Sequence, residues 1–191
     1  MARQKSGDKL GDIRVATVAE VVEVGSSAAS VNVIAKRAGL SIGTLYRYHA
    51  NKNALLRSVY LGVKTDIHNN IMDAATRETE SYDKIRAMWF AILTYARTKP
   101  KDFIFAEVIL NAAILSEKET AEVVAMATDI SRVIEVAIAN RVLRDSPTKV
   151  INTLLAAPAL QLGRQAAMHE MPLDMDLAEE IFALCWRAVA A

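Results

Sequence analysis

Breaks in this chain are scarce, and their positions decide what it can fold into. Only seven glycines and four prolines are spread over 191 residues, and these are the residues that interrupt helices most effectively. Between the breaks, apolar residues recur every three or four positions, the spacing of helices with one buried face. No stretch alternates over enough residues to read as a strand. The expectation is an all-α chain of about nine helices, three in an N-terminal unit and six in a C-terminal one.

Ile13, Ala16, Val21 and Val24 place helix one at roughly 9–24, with Gly25 positioned for a left-handed cap. Ser30 is a candidate N-cap for a second helix over 31–38. Gly39 ends that helix, Leu40 supplies an apolar plug, and Ser41 can cap a third over 42–49. Two short helices joined by a tight glycine-bearing turn form a helix-turn-helix, with Ile34, Ala35, Leu40 and Leu45 as its core. Asn51 caps a longer fourth helix striped by Leu55, Leu56, Val59, Val63, Ile67 and Ile71. Ser81 and Asp83 open a fifth, which ends near Lys99-Pro100 because proline disfavours helix in the residue before it. A short sixth is expected at about 102–113. Ser116 and Glu119 match a capping box and start a seventh running to about Arg144. Asp145-Ser146-Pro147 opens the eighth, and Asp174 or Asp176 caps the ninth after Pro172. The domain division falls between residues 1–52 and 53–191.

The net charge of +1 hides an asymmetry: residues 1–55 hold eight basic and four acidic residues, a net +4, against 15 and 18 in the remainder. A basic head on a mildly acidic body is the sign pattern of a nucleic-acid reader with a separate effector body. No window approaches the run of roughly 20 apolar residues that a membrane helix needs, and no apolar stretch follows the basic start as in a leader. The single cysteine, Cys185, leaves no internal disulfide. A soluble, cytoplasmic protein without a cofactor is expected. Catalytic patterns are absent too. His49, His68 and His169 lie far apart, and there is no His-Glu-x-x-His, phosphate-cradling glycine loop or Gly-x-Ser-x-Gly. Asp66-x-His68 is a thin metal pair, and Cys185 between Leu184 and Trp186 reads as buried. Neither an enzyme nor a metal site is expected.

The stretch Ser30 to Tyr48, followed by Asn51-Lys52-Asn53-Ala54-Leu55-Leu56, closely resembles the DNA-binding region of the TetR/AcrR regulators. The residues that carry the resemblance are Ile34-Ala35, Ala38-Gly39-Leu40-Ser41, Gly43-Thr44-Leu45-Tyr46, Lys52 and Leu55-Leu56. With helix one, it covers about residues 10–60. Three positions depart from the pattern: His49 stands where Phe is usual, Ser26 where an aromatic follows the glycine, and Glu20 where the residue is normally apolar. These are expected to loosen packing between the reader and helix four.

The resemblance implies a homodimeric DNA-binding regulator, a repressor released from a palindromic operator by a small apolar or aromatic effector. A ligand-independent architectural DNA binder of the same fold is the alternative, and an orphan ligand carrier a weaker one. Helix three is then the recognition helix. Gly43 lets the backbone approach the duplex, Ser41 and Thr44 offer hydroxyls to phosphate, and Ile42 meets a thymine methyl. Tyr46 and Tyr48 bind phosphate oxygens and Arg47 reads guanine. Lys52 meets phosphate near a helix N-terminus, Ser30 and Asn32 clamp the backbone from the other side, and Arg3, Lys5 and Lys9 form a basic arm. Met88, Trp89, Tyr95, Phe103, Phe105 and Met126 are the candidate pocket residues. Leu154, Leu155, Ala159, Leu162 and Ala166 of helix eight, with Ile181, Leu184 and Ala188 of helix nine, are the candidate dimer interface.

Overall fold

The computed structural model describes residues 8–110, 115–169 and 172–191, without the side chains of Leu110 and His169. The described residues form nine helices: α1 (Lys9–Ala28), α2 (Val31–Arg37), α3 (Ile42–Tyr48), α4 (Lys52–Thr76), α5 (Ser81–Thr98), α6 (Pro100–Leu110), α7 (Glu117–Ala139), α8 (Thr148–His169) and α9 (Met175–Val189). The all-α expectation holds. Residues 111–113 of the expected sixth helix lie outside the described residues, as do Arg3 and Lys5 of the basic arm.

Local chemistry explains most boundaries. Gly25, at φ 82°, kinks α1 where a left-handed residue was expected. After α2, the Gly39 amide donates to Lys36 and the Leu40 amide to Ala35, with Gly39 at φ 65°. That pair of bonds closes the helix and turns the chain into α3. Ser41 caps α3 by accepting from the Thr44 amide, Asn51 caps α4 by accepting from Ala54, and Ser116 with Glu119 forms a full capping box on α7. Asp174, rather than Asp176, caps α9.

Four expectations need correction. Ser30 precedes α2 without a side-chain cap bond; its amide donates to Glu20 Oε1 at 3.2 Å, which anchors the helix start from α1 instead. Helix α5 ends at Thr98 with Lys99 as its cap, as expected, but α6 starts earlier than expected, with Pro100 as its first residue, where a missing amide costs nothing. Pro147 lies just ahead of α8 and its carbonyl accepts from Val150. Helix α7 ends at Ala139, not near Arg144: Arg141 is left-handed at φ 56° and turns the chain back. Leu143 then buries to 1% exposure and bridges Ala190, while the Arg144 amide donates to Val189. The interior recruits Leu143, and the helix yields to it.

The head core joins Ile13, Val21, Ile34, Leu45, Leu55 and Val63, all at 1% exposure or less, and continues without interruption into Phe105 and Ile109 of α6. A division at residue 52 therefore runs through one shared core, and α4 carries the chain across it. In the body, α5 lies between α4 and α8, with Trp89 and Leu93 packed on Ala159, Ala178 and Phe182. Pro158 sits inside α8 and removes an amide from its ladder. The Leu155 carbonyl, one turn earlier, accepts from the Trp89 indole at 2.8 Å. Gly163 permits a close approach of α8 to α5 and α6: an added Cβ would lie 3.0 Å from Phe103 and 3.1 Å from Ala96.

Candidate nucleic-acid interface and body cavity

Helix α3 has one buried residue, Leu45, and an open face carrying Ile42, Gly43, Tyr46, Arg47 and Tyr48. Ile42, Tyr46 and Tyr48 are each at least 40% exposed. A monomeric surface rarely displays two phenols and a β-branched side chain on one short helix without a partner for them. Arg47 forms no ion pair among the described residues. The Thr44 hydroxyl lies 2.9 Å from Ser41 Oγ, so these two hydroxyls first organise each other. Ser30, with its hydroxyl free of a cap bond, and the exposed Asn32 sit at the start of α2.

Gly43 shows that the missing side chain is not demanded by the fold. A Cβ there would meet nothing nearer than Ser41 Oγ at 4.0 Å. Gly43→Ala is therefore expected to leave the melting temperature unchanged or raise it, because alanine is the better helix former by up to about 1 kcal/mol. If the backbone meets DNA at this point, the methyl intrudes and binding falls by about tenfold or more. Thermal melts and DNA titration on one preparation check both halves.

The head's cations divide by use. Lys9, Lys36 and Arg47 face solvent, whereas Arg37 pairs with Glu23 at 2.6 Å and Glu20 at 3.3 Å. Glu20, 4% exposed, thus holds both ends of α2: its carboxylate takes the Ser30 amide at one end and Arg37 at the other. A buried carboxylate with these two partners fastens α2 to α1. Lys52 donates to the Ser27 carbonyl at 2.8 Å, which ties the start of α4 to the kink after Gly25 and leaves two ammonium protons for phosphate.

His49, 9% exposed, occupies the expected phenylalanine position, and burial pushes its imidazole below the ordinary histidine pKa. The folded protein then binds that proton less readily than the unfolded chain. The associated stability is complete above the unfolded pKa, near 6.5, and is lost as pH falls through it toward the lower folded value. His49→Phe is expected to flatten the decline in melting temperature between about pH 7 and pH 5. An unchanged slope would show that His49 titrates alike in both states.

Arg14, counted in the sequence as part of the basic head, faces the body. It meets Asp66 of α4 at 2.7 Å and Asp102 of α6 at 2.6 Å. The Tyr95 hydroxyl of α5 donates to the same Asp102 oxygen at a long 3.5 Å, and Lys99 meets Asp66 at 3.5 Å. Burial and the two carboxylates push the Tyr95 phenol well above its usual pKa, so it remains a donor.

Between α4, α5, α6, α7 and α8 lies a cavity of about 230 Å³. Of the candidate pocket residues, Tyr95, Phe103 and Met126 line it. Met88 and Trp89 line an adjoining cavity of about 90 Å³. Phe105 lines neither; at 0% exposure it is a core residue of the head–body junction. Sequence reasoning missed Tyr60, Lys64 and His68, which line the larger cavity from one face of α4. The available signal was their four-residue spacing, which puts a lysine and a histidine in line with Ile71. The thin metal pair does not assemble: Asp66 is held by Arg14 and Lys99, and no group of three His, Cys, Asp or Glu forms among the described residues. Cys185 is half-buried rather than buried as expected, and burial raises its thiol pKa.

The candidate interface residues also divide. Leu154 and Leu184 are 44% and 53% exposed, and Ala188 is exposed as well. Leu162, Ala166 and Ile181 are half-buried. Leu155 and Ala159, at 5% and 0%, face the subunit's own core, so α8 offers a partner the opposite stripe.

The head matches a family model described as bacterial regulatory proteins, tetR family, over residues 13–59. The body matches a tetracyclin repressor-like C-terminal domain over residues 62–191. The HTH-type transcriptional regulator PksA of Bacillus subtilis (strain 168) is 33% identical over an alignment of 108 residues that covers 48% of this chain and 53% of PksA. The chain thus matches about half the length of that relative. A TetR family transcription regulator from Marinobacter aquaeolei VT8 superposes with a TM-score of 0.87 at 25% identity, over 99% of both chains. The ketosteroid transcriptional regulator KstR2 of Mycobacterium tuberculosis shares the fold over the whole of both chains, with a TM-score of 0.77 and 14% identity. With one model on the exposed helix-turn-helix and another on the body that carries the cavity, the chain belongs to the TetR family of DNA-binding transcription regulators.

Proposed function

We propose that this regulator is a homodimeric repressor that leaves a palindromic operator when a small molecule enters the body cavity. Reading is assigned to residues 1–52, through Ser30, Asn32, Ser41 to Thr44, Tyr46 to Tyr48 and Lys52. Sensing and dimerisation are assigned to 53–191. No described helix is long and apolar enough to cross a membrane, and the cytoplasm, where the DNA is, is the compartment proposed.

The observation that carries the reading is the chain of contacts from Tyr95, in the cavity wall, through Asp102 to Arg14 on the first helix of the head. An occupant that moves Tyr95 or α6 disturbs the ion group on which α1 rests. It shifts DNA affinity only by the difference between its affinities for the two states, typically about 1–3 kcal/mol. The test is titration of the protein with DNA from upstream of its own coding region across a salt series. Tight binding at one site, with log affinity falling linearly with log salt, supports a specific reader. Only weak binding, indifferent to sequence, to that region and to DNA selected from a random pool would defeat the reading. A specific complex that no cavity occupant releases would favour the architectural alternative.

A further inference from the structure

The two adjoining cavities carry ionisable Lys, His and Glu side chains at one end only. They share Ile71, Ile92, Ile130 and Ala156. Beyond that shared region, the smaller one is walled by Ile85, Met88, Trp89, Ile134 and Leu155, with Asn152 as its one polar side chain. The larger ends on Tyr60, Lys64, His68 and Glu107.

Charge at that end is unbalanced. Lys64 is half-buried and is the one lysine or arginine lining either cavity, yet it has no ion pair or hydrogen bond among the described residues. Glu107, the acid nearest in the wall, is held by Arg164 from α8. His68, one turn along α4, lies with Nε2 3.5 Å from Asp129, itself paired with Arg132, and its Nδ1 is buried without a partner among the described residues. Burial pushes the Lys64 ammonium below the ordinary lysine pKa, and Glu107 offsets this only in part. The wall therefore holds a half-buried cation with no ion pair among the described residues.

We propose that the cavity selects an amphipathic carboxylate, its head on Lys64 beside His68 and its apolar tail running toward Met88 and Trp89. A carboxylate restores the ion pair and accepts charge-assisted hydrogen bonds from the ammonium. A neutral molecule of the same shape seals Lys64 from water without a partner, a costly arrangement. A cationic amphiphile sets like charges together in a poorly screened site. The size points to a slender tail: about 90 Å³ at the far end equals roughly three water volumes. This inference rests on the reading of the cavity as the effector site and sharpens the small apolar or aromatic effector expected from sequence into one with a carboxylate head.

Calorimetric titration of the full-length protein with octanoate, n-octanol and octylamine tests it, for wild type and Lys64→Met. Wild type is expected to bind octanoate at least about tenfold more tightly than octanol and to reject octylamine. Lys64→Met is expected to lose that preference while holding octanol as well as before, which also shows that the variant is folded. Equal affinity of wild type for octanoate and octanol, a preference that survives in Lys64→Met, or no binding of any of the three overturns the proposal. Operator release is read separately on the same samples. Lys64-dependent octanoate binding that leaves the operator complex intact sustains the headgroup assignment and defeats the effector reading.

Discussion

Arg47→Ala is expected to weaken operator binding by about 30-fold to 20,000-fold while leaving the fold intact. A bidentate arginine–guanine contact discriminates against the wrong base by about 1–3 kcal/mol. A two-fold dimer makes that contact twice, which doubles the loss to about 2–6 kcal/mol, and each 1.4 kcal/mol is tenfold. The side chain is exposed on the open face of α3 and holds nothing else in place. Surface substitutions of that kind shift stability by no more than about 0.5 kcal/mol. The informative readout is how the loss is distributed. If Arg47 reads a base, the variant loses affinity for the operator and tolerates changes at one position in each half-site. If it binds phosphate, affinity falls alike for every sequence and the salt slope shrinks by about one unit for each phosphate no longer neutralised. Titrations of the operator, single-position variants of it and a scrambled duplex separate these outcomes. An unchanged affinity for all three would remove Arg47 from the interface.

The second large effect concerns the α8–α9 face. Leu184 is 53% exposed, Leu177 45% and Leu154 44%. These three leucines, on two adjacent helices, each expose apolar area that water disfavours. In a two-fold interface each residue meets the same patch on the other copy. Leu184→Arg is expected to place like charges in that interface and yield a monomer. The subunit itself has room for the arginine, because the leucine already points into solvent. A monomer presents a single reader, so specific binding is expected to collapse toward the nonspecific level, with Kd on the order of 10⁻⁴ to 10⁻⁶ M. Sedimentation and DNA titration on the same preparation decide it. A dimer of wild-type strength would place the interface elsewhere. Leu155→Arg is the contrasting variant: at 5% exposure it faces the subunit core, and its substitution is expected to unfold the body instead of splitting a dimer into folded monomers.

The head was readable because its signals are local. Gly39 is left-handed, Ser41 and Asn51 cap their helices, and Leu45 falls on the buried side because residues three and four apart share a helix face. Such features are decided within about one helical turn of chain, and they survive whatever surrounds them. The open face of α3 followed from the same periodicity. Tertiary structure decided the rest, by bringing together residues far apart in sequence. Ser30 had the chemistry of a cap, but Glu20 ten residues earlier took the anchoring role through the Ser30 amide. The end of α7 gave way because burying Leu143 against the C-terminus outweighed another turn of helix. Arg14 looked like one more cation of a DNA-binding surface until α4 and α6 brought Asp66 and Asp102 within 2.7 Å of it. Leu155 and Leu154 are neighbours on one apolar stretch, and only the position of α5 determines which faces the core. Lys64 is similar: its place on α4 was visible in the sequence, but its isolation depends on Arg164, a hundred residues away, having claimed Glu107. Helix formation and capping are short-range, so sequence alone determined the fold class and the reader. Ion pairing and burial of a shared core are long-range, so the cavity and the head–body junction existed only once the helices had packed.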